Sequence, residues 1–127
     1  SYVSKIFQVK DIAGQRFITT DGTVFDVKPT LHNYNLPHKF YVKNNSADVY
    51  SANLVGSTCM EKDVILRDVE VPNGIDYVKI EGVGAYTISL TPTFINYLSP
   101  ILSVKDNKIT VIRKRQTIDD IISLYYL

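Results

Sequence analysis

Apolar and polar positions alternate along this chain in short runs rich in β-branched and aromatic residues. Glycine, proline, asparagine and aspartate break the runs at intervals suited to an all-β sandwich or barrel. Residues 3–10 read as a strand, 11–15 as its turn and 16–20 as the return strand. Asp21-Gly22 is a second turn, a dipeptide that favours positive φ. Residues 24–27 predict a short third strand. The stretch 28–39 carries Pro29, Pro37 and both histidines, and reads as a long loop. Residues 40–43 and 48–55 flank 44–47 as a hairpin.

Farther along, 64–69 is a strand, Pro72-Asn73-Gly74 a turn and 77–81 a strand leading into Gly82-Val83-Gly84. Thr91-Pro92 closes the region after Tyr86, and 94–98 fits no single period. Residues 101–104 and 109–115 form a last hairpin around 105–108. Only the tail has a helical period: Ile118, Ile121, Ile122 and Tyr125 recur at i, i+3, i+4 and i+7. Thr117 stands ready to cap, and Asp119 and Asp120 suit the positive helix start. The expected fold is all-β, a Greek-key-like β-barrel or sandwich with a short C-terminal helix, occupying 1–127 as a single domain.

Composition narrows the class of function. Fourteen basic and thirteen acidic side chains leave a net charge of +1, so no excess points to nucleic acid or a membrane surface. One cysteine cannot form an internal disulfide, and a reducing cytoplasm is the expected compartment. No apolar run approaches the roughly 18 residues of a membrane span. The chain enters a strand at Ser1-Tyr2-Val3 with no initiator methionine, which suggests a piece of something longer.

Two segments carry the chemistry of interest. Gly56-Ser57-Thr58-Cys59-Met60-Glu61-Lys62-Asp63 holds the only cysteine, just before the apolar run Val64-Ile65-Leu66. Gly82-Val83-Gly84-Ala85-Tyr86-Thr87 is a small-residue turn that delivers one tyrosine at the end of a strand. A lone cysteine is more often a small buried hydrophobe than a reagent, so the pairing of the two segments matters. His32 and His38 have no matching ligand spacing, and they read as exposed loop residues rather than metal ligands. Gly82-Val83-Gly84 lacks the third glycine and following helix of a dinucleotide loop. Arg113-Lys114-Arg115 reads as a solvated strand end. Nine tyrosines without a basic stripe do not make a nucleic-acid platform.

Taken together, the motifs resemble the C-terminal β domain of the fold-type III pyridoxal-phosphate-dependent amino-acid decarboxylases, the family of diaminopimelate, ornithine and arginine decarboxylases. Gly56-x-x-Cys59-x-x-x-Asp63 before an apolar strand resembles the family's cysteine loop. Gly84-Ala85-Tyr86-Thr87 resembles its tyrosine motif, and Thr93-Phe94 its phenylalanine segment. Asp21-Gly22 through Pro29 is similar to its aspartate-to-proline segment. The ending from Val111 to Ile122 is similar to its arginine-threonine-acid-apolar close.

This resemblance implies an N-terminal α/β barrel that carries the Schiff-base lysine, a head-to-tail homodimer, an amino-acid substrate and pyridoxal 5′-phosphate as cofactor. It implies that Tyr86 meets the cofactor phosphate. It also implies that Cys59 delivers a proton to the α-carbon after carbon dioxide leaves, a role open to a poised thiol. Asp63 is expected to brace the loop or a subunit interface, and Phe94 to pack at that interface.

Departures from the family pattern bear on the substrate. Met60 stands where an acid usually grips a distal amine, with Glu61 one residue on. Lys28 stands where diaminopimelate decarboxylases carry an arginine before the proline, and His32 where they carry a tyrosine. Lys28, His32, Met60 and Glu61 are therefore the candidate substrate-binding residues. A lysine is a point charge where arginine offers a bidentate fork. These changes favour a non-standard diamino acid, such as one of a siderophore pathway, with diaminopimelate itself as the alternative. A catalytically dead, decarboxylase-like binding protein and an unrelated β-barrel module are readings of other classes. Expressed alone, the chain is expected to be inactive, and to self-associate or to show local disorder at 28–39 and 57–62.

Overall fold

The computed structural model describes residues 1–44 and 47–126, so Asn45 and Ser46 of the expected 44–47 turn lie outside the described residues. Strands predominate. Their order is β1 (Tyr2–Ile12), β2 (Gln15–Thr20), α1 (Val24–Val27), β3 (His38–Val42), β4 (Val49–Val55), β5 (Val64–Pro72), β6 (Ile75–Ile80), α2 (Thr87–Leu90), β7 (Ile101–Lys105), β8 (Lys108–Arg113) and α3 (Ile118–Ile122). The packing divides the chain into two compact units, Ser1–Thr91 and Pro92–Leu127.

The first unit is one six-stranded sheet in the order β3-β6-β1-β2-β4-β5. Its edge strands β3 and β5 approach each other, so the sheet is nearly closed into a barrel. Closure limits exposed strand edges, which otherwise invite foreign pairing. Neighbours pair antiparallel except β2 and β4, which run parallel with Ile18 opposite Leu54. Alternation along the strands aims Ile18 and Thr20, Ala52 and Leu54, and Val78 and Ile80 into the interior. Burying each of the large aliphatic side chains contributes about 2 kcal/mol. At β5 the alternation breaks: Leu66 and Val69 both point inward, with Asp68 between them at φ 48°. Leu66 pairs with Leu54 and Val69 with Ala52, so Arg67 and Asp68 together face Asn53. That is a β-bulge, and it turns Arg67 outward.

Several expectations need correction. Residues 24–27 are the helix α1, not a strand. Thr23 caps it, and Val24 and Val27 are both buried, the i, i+3 spacing of one helical turn rather than the i, i+2 spacing of a strand. The 40–43 and 48–55 segments do not pair with each other: β3 pairs with β6, and β4 with β2 and β5. Burial of apolar faces, not nearness along the chain, chose the partners. Gly22 does not adopt positive φ. A glycine is needed there because a Cβ would run into the hydroxyls of Tyr2 and Ser4.

In the second unit β7 and β8 form the expected hairpin, turned by Asp106 and Asn107 at φ 50° and 59°. Residues 94–98 form neither helix nor strand. Thr117 and Asp120 make a reciprocal capping box at the start of α3. Arg113 is half-buried rather than a free strand end, its guanidinium donating to the Ser99 carbonyl at 2.9 and 3.3 Å. Among the described residues no helix is long and apolar enough to cross a membrane.

Candidate functional site

The cysteine loop is built on one buried carboxylate. Asp63 is 3% exposed. Its Oδ1 accepts from the backbone N–H of Val24 at 2.6 Å and the hydroxyl of Thr23 at 3.1 Å. Its Oδ2 accepts from the N–H of Thr58 at 3.0 Å and its hydroxyl at 2.5 Å. A buried carboxylate survives only with its oxygens satisfied, and here four donors do so. The backbone adds Gly56 N–H to Asp63 C=O at 2.9 Å, Asp63 N–H to Met60 C=O at 3.0 Å, and Ser57 N–H to Gly22 C=O at 2.9 Å. Gly56 lies so close to the Asp63 carboxylate that a Cβ would overlap it. The loop is thus pinned at both ends, and at its crest Cys59 is exposed as a free thiol. Glu61 and Lys62 are exposed beside it, and Met60 is half-buried.

A cleft of about 200 Å³ lies elsewhere on the first unit, lined by Lys28, His32, Tyr34 and the run Gly82 to Thr87. It brings together Lys28, His32 and Tyr86. Tyr86 does not end a strand, as its sequence context predicted; β6 stops at Ile80 and Tyr86 precedes α2. Tyr86 is 62% exposed. Gly84, at φ 120°, has open space where a side chain would project. Lys28 is 1% exposed, and its ammonium donates to the Tyr34 carbonyl at 3.3 Å. Burial, and secondarily the Arg67 guanidinium, lower its pKa below the ordinary lysine value.

His32 is not an exposed loop residue. It is half-buried, with its ring stacked on Tyr34 at 3.5 Å between centroids. Its Nδ1 is buried without a hydrogen-bond partner. Burial first, then the nearby Lys28 charge, lower its pKa. His38 instead opens β3, with Nδ1 donating to the Leu36 carbonyl at 2.9 Å. Among the described residues no group of three His, Cys, Asp or Glu could hold a metal ion.

A second cleft, of about 280 Å³, is lined by His32, Asn33, Lys62, Val64 and Arg67. His32 is common to both clefts. Sequence reasoning passed over Lys62, Asn33 and Arg67. The one available signal was the run Ile65-Leu66-Arg67-Asp68-Val69, whose apolar residues break strict alternation. Cys59, Met60 and Glu61 line neither cleft, and Phe94 belongs to the second unit.

The donor set of the first cleft can be set against the phosphate of a pyridoxal cofactor. No carboxylate lines it, and the Tyr86 phenol and Lys28 ammonium are both hydrogen-bond donors. The residues present fit one edge of a phosphate, not its full enclosure.

Residues 1–84 match the family described as "Pyridoxal-dependent decarboxylase, C-terminal sheet domain". The chain is 30% identical to the diaminopimelate decarboxylase of Zymomonas mobilis, covering 94% of this chain and 29% of that one. It is 29% identical to the diaminopimelate decarboxylase of Mycobacterium tuberculosis, over 91% of this chain and 28% of that one. The crystal structure of Helicobacter pylori diaminopimelate decarboxylase complexed with L-lysine superposes with a TM-score of 0.82 at 26% identity. It covers 96% of this chain and 30% of that one. This chain therefore spans about three tenths of the length of the curated relatives it matches. The barrel-like sheet agrees with these matches, and the chain belongs to the pyridoxal-dependent decarboxylases as their C-terminal sheet domain.

Proposed function

We propose that the longer protein containing this chain decarboxylates an amino acid with pyridoxal phosphate as cofactor. In this reading residues 1–127 are one C-terminal domain of a cytoplasmic enzyme. An N-terminal α/β barrel and a second subunit complete its active site. The observation that supports it most directly is the loop 57–62, whose base is fixed by the buried Asp63 while Cys59 stands exposed. A thiol held this way can hand a proton to a substrate carbon brought to it by another chain. Tyr86 would donate its phenolic hydrogen to the cofactor phosphate. The cofactor, when bound, supplies the electron sink that makes loss of the carboxyl group feasible. Asp63 is a positioning residue, and Phe94 is assigned to the subunit interface.

For the substrate, diaminopimelate comes first, because the curated relatives carry that activity in their names. A different diamino acid is the second reading, favoured by two observations. Lys28 is buried and engaged with Tyr34, and Met60 offers no charge for a distal amine. Glu61, exposed one residue on, is the acid available for that amine.

The test measures carbon dioxide release by the full-length protein from diaminopimelate, ornithine, lysine and arginine, with Cys59→Ala in parallel. Turnover of diaminopimelate, lost in the variant, is the expected result. Turnover of another diamino acid alone selects the second reading. No cofactor absorbance and no release from any of the four would overturn both.

A further inference from the structure

We propose that the cleft between the His32-Asn33 segment and β5 is a binding site for a phosphate-type dianion, either free phosphate or the phosphate ester of a small metabolite. The site shares only His32 with the Tyr86 cleft, and its assignment does not rest on the reading given above.

Two cationic residues from different elements line the cleft. Lys62 comes from the end of the cysteine loop and Arg67 from the bulge in β5. Neither has an ion-pair partner among the described residues, and no carboxylate lines the cleft. Like charges brought together without an intervening anion repel, and the cost grows as water is excluded.

Arg67 is not there by chance of side-chain wandering. Its backbone is clamped by the Asn35 side chain, which accepts from Arg67 N–H at 2.9 Å and donates to its carbonyl at 2.8 Å. The next residue, Asp68, donates its N–H to Asn53 Oδ1 at 3.0 Å, which fixes the bulge itself. Lys62 is held from the other side, its carbonyl accepting from Val64 N–H at 2.8 Å beside the anchored Asp63. A clamped root reduces the ordering cost of binding.

The donors match the proposed ligand in charge and shape. An arginine fork can take two oxygens of a tetrahedral oxyanion, a lysine supplies a point charge to a third, and the Asn33 amide can donate to the same group. A single carboxylate would balance only one of the two cations. At about 280 Å³ the cleft exceeds what a bare ion fills and leaves room for a small organic group. Its wall contains His32, whose Nδ1 is, among the described residues, the one buried side-chain polar atom identified without a hydrogen-bond partner. The Lys28 pKa is lowered by burial first and by Arg67 second, so the Arg67 charge is felt by a third cation. An anion between Lys62 and Arg67 would offset that charge.

The experiment is calorimetric titration of the full-length, cofactor-saturated protein with inorganic phosphate, and separately with glycerol 3-phosphate, against chloride at matched ionic strength. Saturable binding is expected for at least one phosphate. Equal affinities assign the free ion, and tighter glycerol 3-phosphate assigns an ester. Lys62→Gln and Arg67→Gln alter exposed side chains and are each expected to weaken binding at least tenfold with an unchanged melting temperature. Tyr86→Phe, in the other cleft, should leave the affinity within twofold of wild type. Heats indistinguishable from chloride would overturn the proposal. So would wild-type affinity in Arg67→Gln, or loss of binding through Tyr86→Phe alone.

Discussion

Asp63 holds Thr58 by a single carboxylate oxygen that accepts both its backbone N–H, at 3.0 Å, and its hydroxyl, at 2.5 Å. The other oxygen of the same carboxylate reaches Val24 N–H and the Thr23 hydroxyl, 39 and 40 residues earlier in the chain. The start of α1 and the base of the cysteine loop are therefore one construction. Removing the carboxylate leaves buried donors with nothing to meet, which costs more than the bonds themselves contribute.

Asp63→Ala is expected to destabilise the protein by about 3 kcal/mol, the range for breaking a buried, charge-assisted network. Gly56→Ala should have a similar effect by another route, since its Cβ would overlap the same carboxylate. Urea unfolding of both variants measures this. A loss under about 0.5 kcal/mol in either, the size of an ordinary surface change, would show that the carboxylate is dispensable.

Cys59 sits at the other extreme, exposed on the loop that Asp63 secures. Cys59→Ala should leave the melting temperature within about a degree, because little packing is lost. Its turnover should fall by about a hundredfold, the lower range for a lost proton donor. Cys59→Ser, a much weaker acid, should recover little of it. Turnover at wild-type level in Cys59→Ala would remove the thiol from the reaction.

How much of this was legible in the sequence depends on how local the cause was. Thr117, with Asp120 three residues on, announced the cap of α3 because both partners lie within one turn. The 105–108 turn and its hairpin were legible for the same reason. Val24 to Val27 was misread because its helix is fixed from outside, by Asp63 accepting Val24 N–H. The pairing of β3 with β6 depends on residues such as Phe40 and Val78, 38 positions apart, meeting across the sheet. In the candidate site, Cys59 and Tyr86 stood out by motif. Arg67 did not, because the bulge and the Asn35 clamp that aim it arise only when distant segments meet.

Apolar side chains remain exposed on both units. Val3 and Phe7 are 58% and 65% exposed on β1, and Val104, Ile109 and Ile112 are 71%, 67% and 65% exposed on the hairpin. Patches of this kind mark surfaces that another surface covers. The 127-residue chain expressed alone should therefore self-associate at micromolar concentration. Light scattering would report a mass above that of one chain, falling with dilution. A monodisperse monomer across the range would contradict this.

Lys28 gives stability a pH dependence with a definite sign. Its pKa is lowered in the folded state, by burial first and by Arg67 second, from an ordinary value of 10.5. Below the folded pKa both states carry the proton, and the folded protein bears the full cost of a buried charge. Between the folded pKa and 10.5 the unfolded chain binds more protons than the folded one, so stability rises with pH through that window. Above it both states are neutral and the effect levels off. Lys28→Met removes this titration while keeping a side chain of similar length. The stability of the variant minus that of wild type should therefore fall as pH rises toward 10.5, by about 1.4 kcal/mol for each unit of depression. Paired urea titrations of the two proteins from pH 7 to pH 10 measure that difference, and other titrating groups largely cancel between them. A difference independent of pH would mean that Lys28 keeps its ordinary protonation in the folded protein, and that its ammonium is solvated rather than confined beside Arg67.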